Sequence, residues 1–176
     1  MRQKLILAFL VVGLILVADI VTKRWAMEAL PHIGTVEGMG GVPLTLAFNQ
    51  GIAFGLDIPS AGRWILIAAS VFVVLMLIGM FQNAKPDDWT RLLSISLVGA
   101  GAVGNLIDRV RWDRGVVDFI GPIDLGFMLW PIFNVADMAI TIGAGVLAWS
   151  MWKEGARAKV PVLDGPEAAS ASETGD

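Results

Sequence analysis

The sequence predicts a membrane protein with an all-α core, in which four transmembrane helices carry a small extracytoplasmic β-platform and a loop cover. The composition is the first observation: of 176 residues, 56% are hydrophobic and 16% are charged, whereas about a quarter of the residues of a soluble domain are charged. The apolar residues also form four blocks of span length, separated by polar stretches. Finally, two of these polar stretches are longer and contain Gly and Pro, which break helices.

The first predicted span covers residues 5–21 and follows a basic start. A cleaved signal peptide is the alternative, and its apolar run would end in small residues at a cleavage site. Here the run ends with the bulky Val17, followed by Ala18 and Asp19. We therefore expect the segment to remain as a membrane helix.

Residues 31–63 form the first predicted extracytoplasmic segment, in which Gly and Pro break any helix. These breakers are Pro31, Gly34, Gly38, Gly40, Gly41 and Pro43. Residues 42–48 are predicted to form a short strand with its apolar side chains on one side. Those side chains are Leu44, Leu46 and Phe48. We expect this segment, with its apolar strand face, to lie on the membrane as a platform over the site, and residues 51–63 to form a mobile cover.

The second and third predicted spans cover residues 64–81 and 92–107. Arg63 and Trp64 mark the start of the second span, because an amphipathic cation and an indole both suit the membrane interface. The third span is rich in Gly, Ala and Ser. Such small residues let helix backbones approach closely inside a membrane bundle, so we expect close helix contacts along this span.

A second extracytoplasmic segment, residues 108–130, leads to the fourth predicted span, residues 132–152. This segment is predicted to be polar and irregular. Residues 153–176 are rich in Ala, Ser, Glu and Gly, a composition that predicts a disordered cytoplasmic tail. Because the sequence shows no internal repeat and no earlier boundary, we expect residues 1–152 to form a single membrane domain.

The charges of the connecting segments give a weak prediction of orientation. Four spans place both termini on one side, together with the polar turn at residues 82–91. That side carries seven Lys and Arg residues and the other side carries six. The positive-inside rule therefore favours cytoplasmic termini by a single charge, with both longer segments facing outward.

The composition also excludes several kinds of chemistry. The absence of Cys excludes a disulfide, a thiolate nucleophile and a zinc–thiolate site. A single histidine, His32, excludes a multi-histidine metal site within one chain. The basic residues are scattered, so no nucleic-acid partner is expected.

Ionisable residues inside spans are costly and are candidates for function. Asp19 and Lys23 are four residues apart near the outer end of the first span, so both lie on one helix face. Two explanations of Asp19 are equally good: it forms an ion pair that neutralises the helix end, or it has a functional role.

Asp118 and Asp137 are the strongest candidates for a reactive pair. Asn134 and Asp137 are three residues apart at the start of the fourth span and lie on one face, although an Asp there also complements the helix dipole. Asp118 lies in an apolar stretch, and a short connection returns the chain to the fourth span. Two neighbouring carboxylates cannot both ionise cheaply, so one keeps a proton. Such a pair acts as a general base on water and as a general acid toward a leaving amine.

Three other interpretations remain. Asp108, Asp118 and Asp137 supply the oxygen ligands that Mg²⁺ binds, although neighbouring arginines already supply positive charge. A transporter using Asp19 and Asp137 as a proton path would need acids across the whole bilayer, and here they cluster toward one face. A scaffold explains the small residues of the third span but not the polar motifs.

Five motifs occur in order between residues 5 and 152. They are Asp19-Ile-Val-Thr-Lys23, Asn49-Gln-Gly51-Ile-Ala53-Phe54, Gly101-Ala-Val-Gly104-Asn105-Leu106-Ile107-Asp108-Arg109, Gly115-Val-Val117-Asp118-Phe119 and Phe133-Asn134-Val-Ala136-Asp137. Together they resemble the motifs of the type II, or lipoprotein, signal peptidases. Each motif alone is weak, but five at compatible spacings are specific. Ala100 departs from the pattern, since many members have Gly there.

The resemblance implies an intramembrane aspartic endopeptidase without a cofactor or metal, with Asp118 and Asp137 as the catalytic pair. The implied substrate-binding residues are Asn49, Gly101, Asn105, Arg109, Asn134 and Ala136. The implied supporting residues are Asp19, Lys23 and Asp108, the last either as a third acid or paired with a nearby Arg to order the loop.

The resemblance also implies the substrate and the location. The substrates would be prolipoproteins carrying a diacylglyceryl group on a Cys, cleaved just before that Cys to release the signal peptide. The location would be the bacterial cytoplasmic (inner) membrane, with the active site near its extracytoplasmic face. The partners are therefore these precursors and membrane lipid, and no oligomer is implied.

Overall fold

The computed structural model describes residues 2–51 and 61–158. Within these ranges the chain forms four long helices, α1 (Arg2–Ile33), α2 (Ala61–Asn83), α3 (Trp89–Arg111) and α4 (Val135–Ala158). Each helix is long and apolar enough to cross a membrane. The predicted four-helix membrane core is therefore confirmed. Residues 52–60, the main part of the predicted cover, lie outside the described residues, as do residues 159–176 of the predicted tail.

The helix ends differ from the predicted spans. α1 continues beyond residue 21 to Ile33, and Pro31 lies within its last turn instead of ending it. A proline there lacks the N–H that would bond the Met27 carbonyl, so the last turn of α1 has one hydrogen bond fewer. The helix ends at Gly34, which has a φ of +68° and donates its N–H to the Leu30 carbonyl at 2.8 Å. This is the usual left-handed glycine cap.

α3 and α4 also depart from the predicted ends. α3 includes Asp108 and continues to Arg111, beyond the predicted end at residue 107. α4 begins three residues later than predicted, because the backbone of Phe133 pairs with that of Ile120 through two 2.9 Å hydrogen bonds. At its other end α4 continues through residues 153–158, so the start of the predicted tail is helical.

α3 packs against each of the other three helices. Its buried surface consists mainly of small residues, which confirms the close contacts predicted for this segment. They include Ser94, Ser96, Ala100, Gly101, Ala102 and Gly104. A Cβ atom at Gly101 would lie only 2.2 Å from the Ala136 carbonyl oxygen of α4. The two backbones therefore touch at this point, as small residues allow in membrane bundles.

Two small antiparallel sheets lie beyond one end of the bundle. The first joins β1 (Val36–Glu37), β2 (Pro43–Asn49) and β3 (Val116–Ile120) in the order β1-β2-β3. The second is a hairpin of β4 (Ile123–Asp124) and β5 (Leu129–Trp130). The predicted strand at residues 42–48 is β2, but the prediction that residues 108–130 are irregular is wrong. Residues 116–119 are all buried, and a short fully buried strand lacks the alternation that reveals strands in a sequence.

The apolar side of the three-stranded sheet packs against the end of α1. Leu44 and Leu46 of β2 contact the buried cluster formed by Ala26, Leu30 and Phe119. The sheet therefore uses this face to attach to α1, and the position of the segment on the membrane over the site stays a prediction. Phe48 does not share that face: the pairing register shifts along β2, and the guanidinium of Arg114 lies 4.2 Å from its ring.

The start of α1 lies beside the end of α2. The ammonium of Lys4 donates to the carbonyl oxygens of Phe81 and Gln82, at 3.4 and 3.3 Å. The chain therefore has the α2–α3 turn and the start of α1 at one end of the bundle, and both sheets at the other.

Replacing Gly101 with Ala tests the contact between α3 and α4. The added Cβ would overlap the Ala136 carbonyl oxygen, so we expect the free energy of unfolding to fall by about 1–3 kcal/mol. Gly99→Ala is the matched control, because a Cβ at Gly99 meets nothing within 4 Å. Thermal unfolding in detergent measures both, and equal midpoints would contradict the proposed contact.

Candidate active site

A buried lysine lies at the centre of the polar residues near the sheet end of the bundle. The ammonium of Lys23 is 2.7 Å from the Asp19 carboxylate and 2.8 Å from the Asp108 carboxylate. It also donates to Oδ1 of Asn105 at 3.2 Å. The residue is 2% exposed, and a buried charge is costly unless it is paired and hydrogen-bonded as it is here. The predicted pairing of Asp19 with Lys23 is confirmed.

The partner of Asp108 differs from the predicted one. A nearby Arg was expected, but Asp108 pairs with Lys23 of α1. The same carboxylate oxygen also accepts the backbone N–H of Val117 at 3.2 Å, which attaches β3 to the end of α3. Asp108 therefore orders the connecting segment, as expected, but through a cation on another helix. A pairing between helices leaves no spacing signal in the sequence.

Asp19 connects α1 to the beginning of α4. Its Oδ1 atom accepts the backbone N–H of Ala136 at 2.9 Å, one of the N–H groups that a helix start leaves without an intrahelical partner. Ala136 is fully buried and packs against Gly101. These two predicted substrate-binding residues thus lie within the α3–α4 contact, and their contact with substrate stays a prediction.

Asn134 and Asp137 cap the start of α4 reciprocally. The Asn134 side-chain oxygen accepts the N–H of Asp137 at 2.9 Å, and the Asp137 carboxylate accepts the N–H of Asn134 at 3.2 Å. This is the hydrogen-bond pattern of a capping box. The second oxygen of Asp137 accepts the side-chain amide of Asn105 at 2.7 Å. Asp137 is therefore fixed from both α3 and α4.

Asp118 lies on β3, 2% exposed, and is joined to the same network by Asn134. The side-chain amide of Asn134 donates to Oδ1 of Asp118 at 2.7 Å. That amide also contacts the Val117 carbonyl and Oδ1 of Asn105, both at 3.2 Å. A single residue, Asn134, is thus bonded to both acids, which brings the two predicted catalytic residues together.

The environment of Asp118 favours its protonated form. Burial is the main cause that raises the pKa of Asp118 to about 6, and the negative charge of Asp137 raises it further. The amides of Asn49 and Asn134 and the charge of Lys23 oppose this rise in pKa. One acid of the pair therefore binds a proton more readily than an isolated aspartate does.

Asn49 and Arg109 border the acids. Asn49 ends β2 and accepts the N–H of Gly51 at 2.9 Å through its side chain. The charge of Arg109 interacts with those of Asp137 and Asp118. Its Nε atom is buried without a hydrogen-bond partner among residues 2–51 and 61–158. Both predicted substrate-binding residues therefore lie beside the acids.

Two residues contribute to the site region in ways that the sequence did not indicate. Arg63, predicted only as an interface residue, donates to the carbonyls of Arg109 and Val110 at 2.7 and 2.9 Å and pairs with Asp113. It connects the start of α2 to the end of α3. Gly115 has a φ of +92°, and a Cβ there would lie 2.3 Å from the Asn49 carbonyl oxygen. Gly115 is needed because β2 passes close to it, and no local sequence pattern indicates this approach.

Asp137 opens onto a mostly apolar groove of about 320 Å³. The groove is lined by Trp130, Phe133, Asp137, Met138, Thr141 and Ile142. Met138 and Ile142 are exposed on a membrane-spanning helix, so the groove faces the lipid. An apolar molecule in the membrane can thus approach Asp137 from the side.

The proposed magnesium ligands do not converge as a set. Asp108 is directed toward Lys23, whereas Asp118 and Asp137 are joined through Asn134. Across residues 2–51 and 61–158, no three His, Cys, Asp or Glu side chains are placed to hold a metal ion.

The fold and the site define a multi-pass membrane protein with a pair of acids held beside a lipid-facing groove. The family model of signal peptidase (SPase) II matches residues 11–153. The chain belongs to the signal peptidase II family and is therefore a membrane peptidase. The resemblance carried by the five sequence motifs is confirmed.

Individual relatives agree with this assignment. The lipoprotein signal peptidase of Oleidesulfovibrio alaskensis is 36% identical over 157 residues, which cover 87% of this chain and 99% of that protein. That of Ectopseudomonas mendocina is 38% identical over 149 residues, covering 83% and 88%. A solved structure described as a bacterial membrane enzyme, determined by the in meso method at 2.3 Å resolution, superposes with a TM-score of 0.74 at 26% identity. It covers 89% of this chain and 94% of the other.

Replacing Lys23 with Met tests the buried ion pairs. The change leaves Asp19 and Asp108 buried without their cation, so we expect the free energy of unfolding to fall by about 3–5 kcal/mol. Lys4→Met is the matched control, because Lys4 lies on the same helix and, among residues 2–51 and 61–158, its ammonium lies near two carbonyl oxygens and the Phe81 ring and forms no salt bridge. Unfolding in detergent measures both variants, and equal losses would rule out a special role for Lys23.

The pH dependence of stability tests the environment of Asp118. Because the pKa of Asp118 is raised from 3.8 to about 6 in the folded state, the folded protein binds the proton more tightly than the unfolded chain does. Stability is therefore lost as the pH rises through this range. We expect Asp118→Asn to gain stability relative to wild type between about pH 4 and pH 6, by up to about 3 kcal/mol.

The measurement is the unfolding midpoint as a function of pH. Asp124→Asn, which removes an exposed carboxylate from the same segment, is the control for the loss of one charge. A constant difference between wild type and Asp118→Asn across this pH range would contradict the raised pKa.

Proposed function

We propose that this chain is an aspartic endopeptidase that removes signal peptides from diacylglyceryl-modified prolipoproteins, cleaving just before the lipidated Cys. The observation that carries the proposal is the bonding of both Asp118 and Asp137 to Asn134, beside a lipid-facing groove. Membership of the signal peptidase II family supports the substrate class. The names of its relatives support it as well.

The two acids have different surroundings, which suggests different roles. Both oxygens of Asp137 accept N–H groups, and an ionised carboxylate is a pure acceptor. Asp118 is the acid whose environment favours a proton. We therefore assign Asp137 as the general base and Asp118 as the general acid in the resting enzyme.

The reaction then needs only these groups and a water molecule. Asp137 takes a proton from the water as its oxygen attacks the carbonyl carbon of the scissile bond. Asp118 gives its proton to the amine nitrogen that leaves when the C–N bond breaks. Water is thereby added across the peptide bond, and the pair ends with its proton on the other carboxylate.

The groups around the acids are suited to binding a peptide backbone. Arg109 carries a buried Nε–H without a partner in the described residues and lies close to both acids. A donor there can bind the carbonyl oxygen that becomes negative during attack. Asn49, exposed at the end of β2, is placed to contact the peptide from the side of the sheet. Asn105 and Asn134 hold the acids themselves.

The groove explains how an apolar substrate reaches polar catalytic groups. A signal peptide is an apolar helix and the diacylglyceryl group is lipid, so both reside in the membrane. Trp130, Phe133 and Met138 line an approach from lipid to Asp137. The substrate can therefore enter laterally without passing through water.

We place the enzyme in the bacterial inner membrane with both termini cytoplasmic. The acids lie at the sheet end of the bundle, opposite the α2–α3 turn. With the termini in the cytoplasm, as the charge count favours, the active site lies near the extracytoplasmic face.

The proposal is tested by cleavage of a diacylglyceryl-modified prolipoprotein by purified protein in detergent, with EDTA present. We expect wild type to cleave it, and Asp118→Asn and Asp137→Asn each to lower the rate by about 10²–10⁴-fold. The reason is that each Asn keeps the size of the side chain but cannot exchange the proton. EDTA should have no effect.

Asp124→Asn is the matched control, since Asp124 is an exposed carboxylate in the same connecting segment as Asp118. It should cleave at the wild-type rate. Folded wild type that fails to cleave would overturn the substrate. Cleavage retained by both Asn variants, or abolished by EDTA, would overturn the aspartic mechanism.

A further inference from the structure

A second cavity, of about 300 Å³, lies between the outer half of α1 and the end of α3, away from the groove at Asp137. Four cationic side chains and two carboxylates line it. Lys23 and Asp108 pair with each other across its inner wall. The remaining charged residues are Arg24, Arg111, Arg114 and Glu28, so the rest of the cavity has an excess of positive charge.

The three arginines are not neutralised by carboxylates. Within the part of the chain that the structure describes, none of them forms a salt bridge. Arg111 and Arg114 lie instead against the Trp112 ring, each with its guanidinium carbon 5.2 Å from the ring centroid. Stacking on an aromatic face leaves the in-plane N–H groups of a guanidinium available to an anion. One of these groups, on Nη2 of Arg114, donates to the sulfur of Met27 at 3.3 Å, and a thioether is a weak acceptor that an anion can replace.

Tryptophan side chains indicate that the cavity lies at the level of the lipid headgroups. Trp112 lines the cavity, and Trp25 is exposed on the same part of α1 as the lining residues Arg24 and Met27. Indoles are enriched at the membrane interface. Ile20, Met27 and Ile107 form its apolar part. Ile20 is exposed on a membrane-spanning helix, so this apolar part continues into the lipid-facing surface.

We propose that this cavity binds the phosphate group of an anionic phospholipid, with Arg24, Arg111 and Arg114 as its ligands. Guanidinium groups bind phosphate oxygens through paired N–H donors, which a stacked and unneutralised arginine offers. The apolar wall accommodates the first part of the acyl chains, which a free phosphate ion does not have. The bound headgroup would lie beside Lys23 and Asp108, in a cavity that shares no lining residue with the groove at Asp137.

The test is lipid retention by the full chain, measured by native mass spectrometry from detergent micelles containing equal amounts of phosphatidylglycerol and phosphatidylcholine. We expect wild type to retain phosphatidylglycerol in preference. The double variant Arg111→Gln/Arg114→Gln should retain it about 30-fold less, because it loses the attraction of two cations to the anionic headgroup.

Lys153→Gln is the matched control, because Lys153 also lies over an indole, that of Trp149, but at the other end of the bundle. It should retain the lipid as wild type does. If the glutamine variant does not fold, Arg111→Lys/Arg114→Lys provides the second comparison. Lysine keeps the positive charge but lacks the planar guanidinium with its paired N–H donors. Phosphatidylglycerol retention by this variant should therefore lie between that of wild type and that expected for the glutamine variant.

Inorganic phosphate, added without lipid, distinguishes the two sources of the anion. Stabilisation of wild type by millimolar phosphate, lost in the double variant and without any phosphatidylglycerol retention, would support the anion site but assign it to free phosphate. Equal retention of both lipids by wild type would overturn the proposal. Unchanged phosphatidylglycerol retention by the folded double variant would overturn it as well.

Discussion

The ammonium group of Lys23 is the interaction on which the rest of the site depends. It is almost fully buried and lies within 2.8 Å of two carboxylates on two helices. An unpaired buried charge costs several kcal/mol, so α1 and α3 must keep the one arrangement that pairs it. The two carboxylates also fix the positions of α4 and β3. Asp19 accepts the N–H of Ala136 at the start of α4, and Asp108 accepts the N–H of Val117 at the start of β3. These are the two elements that carry the proposed catalytic acids.

This arrangement is suited to a membrane bundle, in which apolar packing alone specifies little. Lipid tails are as apolar as leucine, so helices in a membrane gain no hydrophobic energy by associating. In this bundle the small residues of α3 permit close approach, but Gly and Ser do not distinguish one register from another. The polar network supplies that distinction, because sliding α3 along α1 by one turn would separate Asp108 from Lys23. The two kinds of contact therefore have different effects. The glycine contacts favour helix association, and the buried charges select one arrangement of the helices.

The sequence predicted the parts of this structure that depend on composition and spacing. The membrane demands helices of about 20 apolar residues, so four of them could be counted directly. Their ends were misplaced because hydropathy marks the lipid boundary and not the last hydrogen bond. α1 continues to Ile33 because the sheet covers Ala26 and Leu30. Asp137 and Asn134 were found because they share a helix face. The partner of Asp108 and the contact at Gly115 were not found, since both depend on which distant segment lies alongside.

Asn134 shows why two interpretations of Asp137 need not compete. An acid in the first turn of a helix often serves only to complement the dipole, and Asp137 does cap α4 with one oxygen. The cap, however, also fixes the direction of the Asn134 side chain, whose oxygen is used by the Asp137 N–H. Its amide nitrogen must then point away from the helix, and there it meets Asp118. The capping box is therefore the device that holds the two acids in fixed relation. Asp19 in turn holds the start of α4 by accepting the N–H of Ala136. A carboxylate on α1 therefore helps to fix the separation of Asp118 and Asp137, although it contacts neither of them.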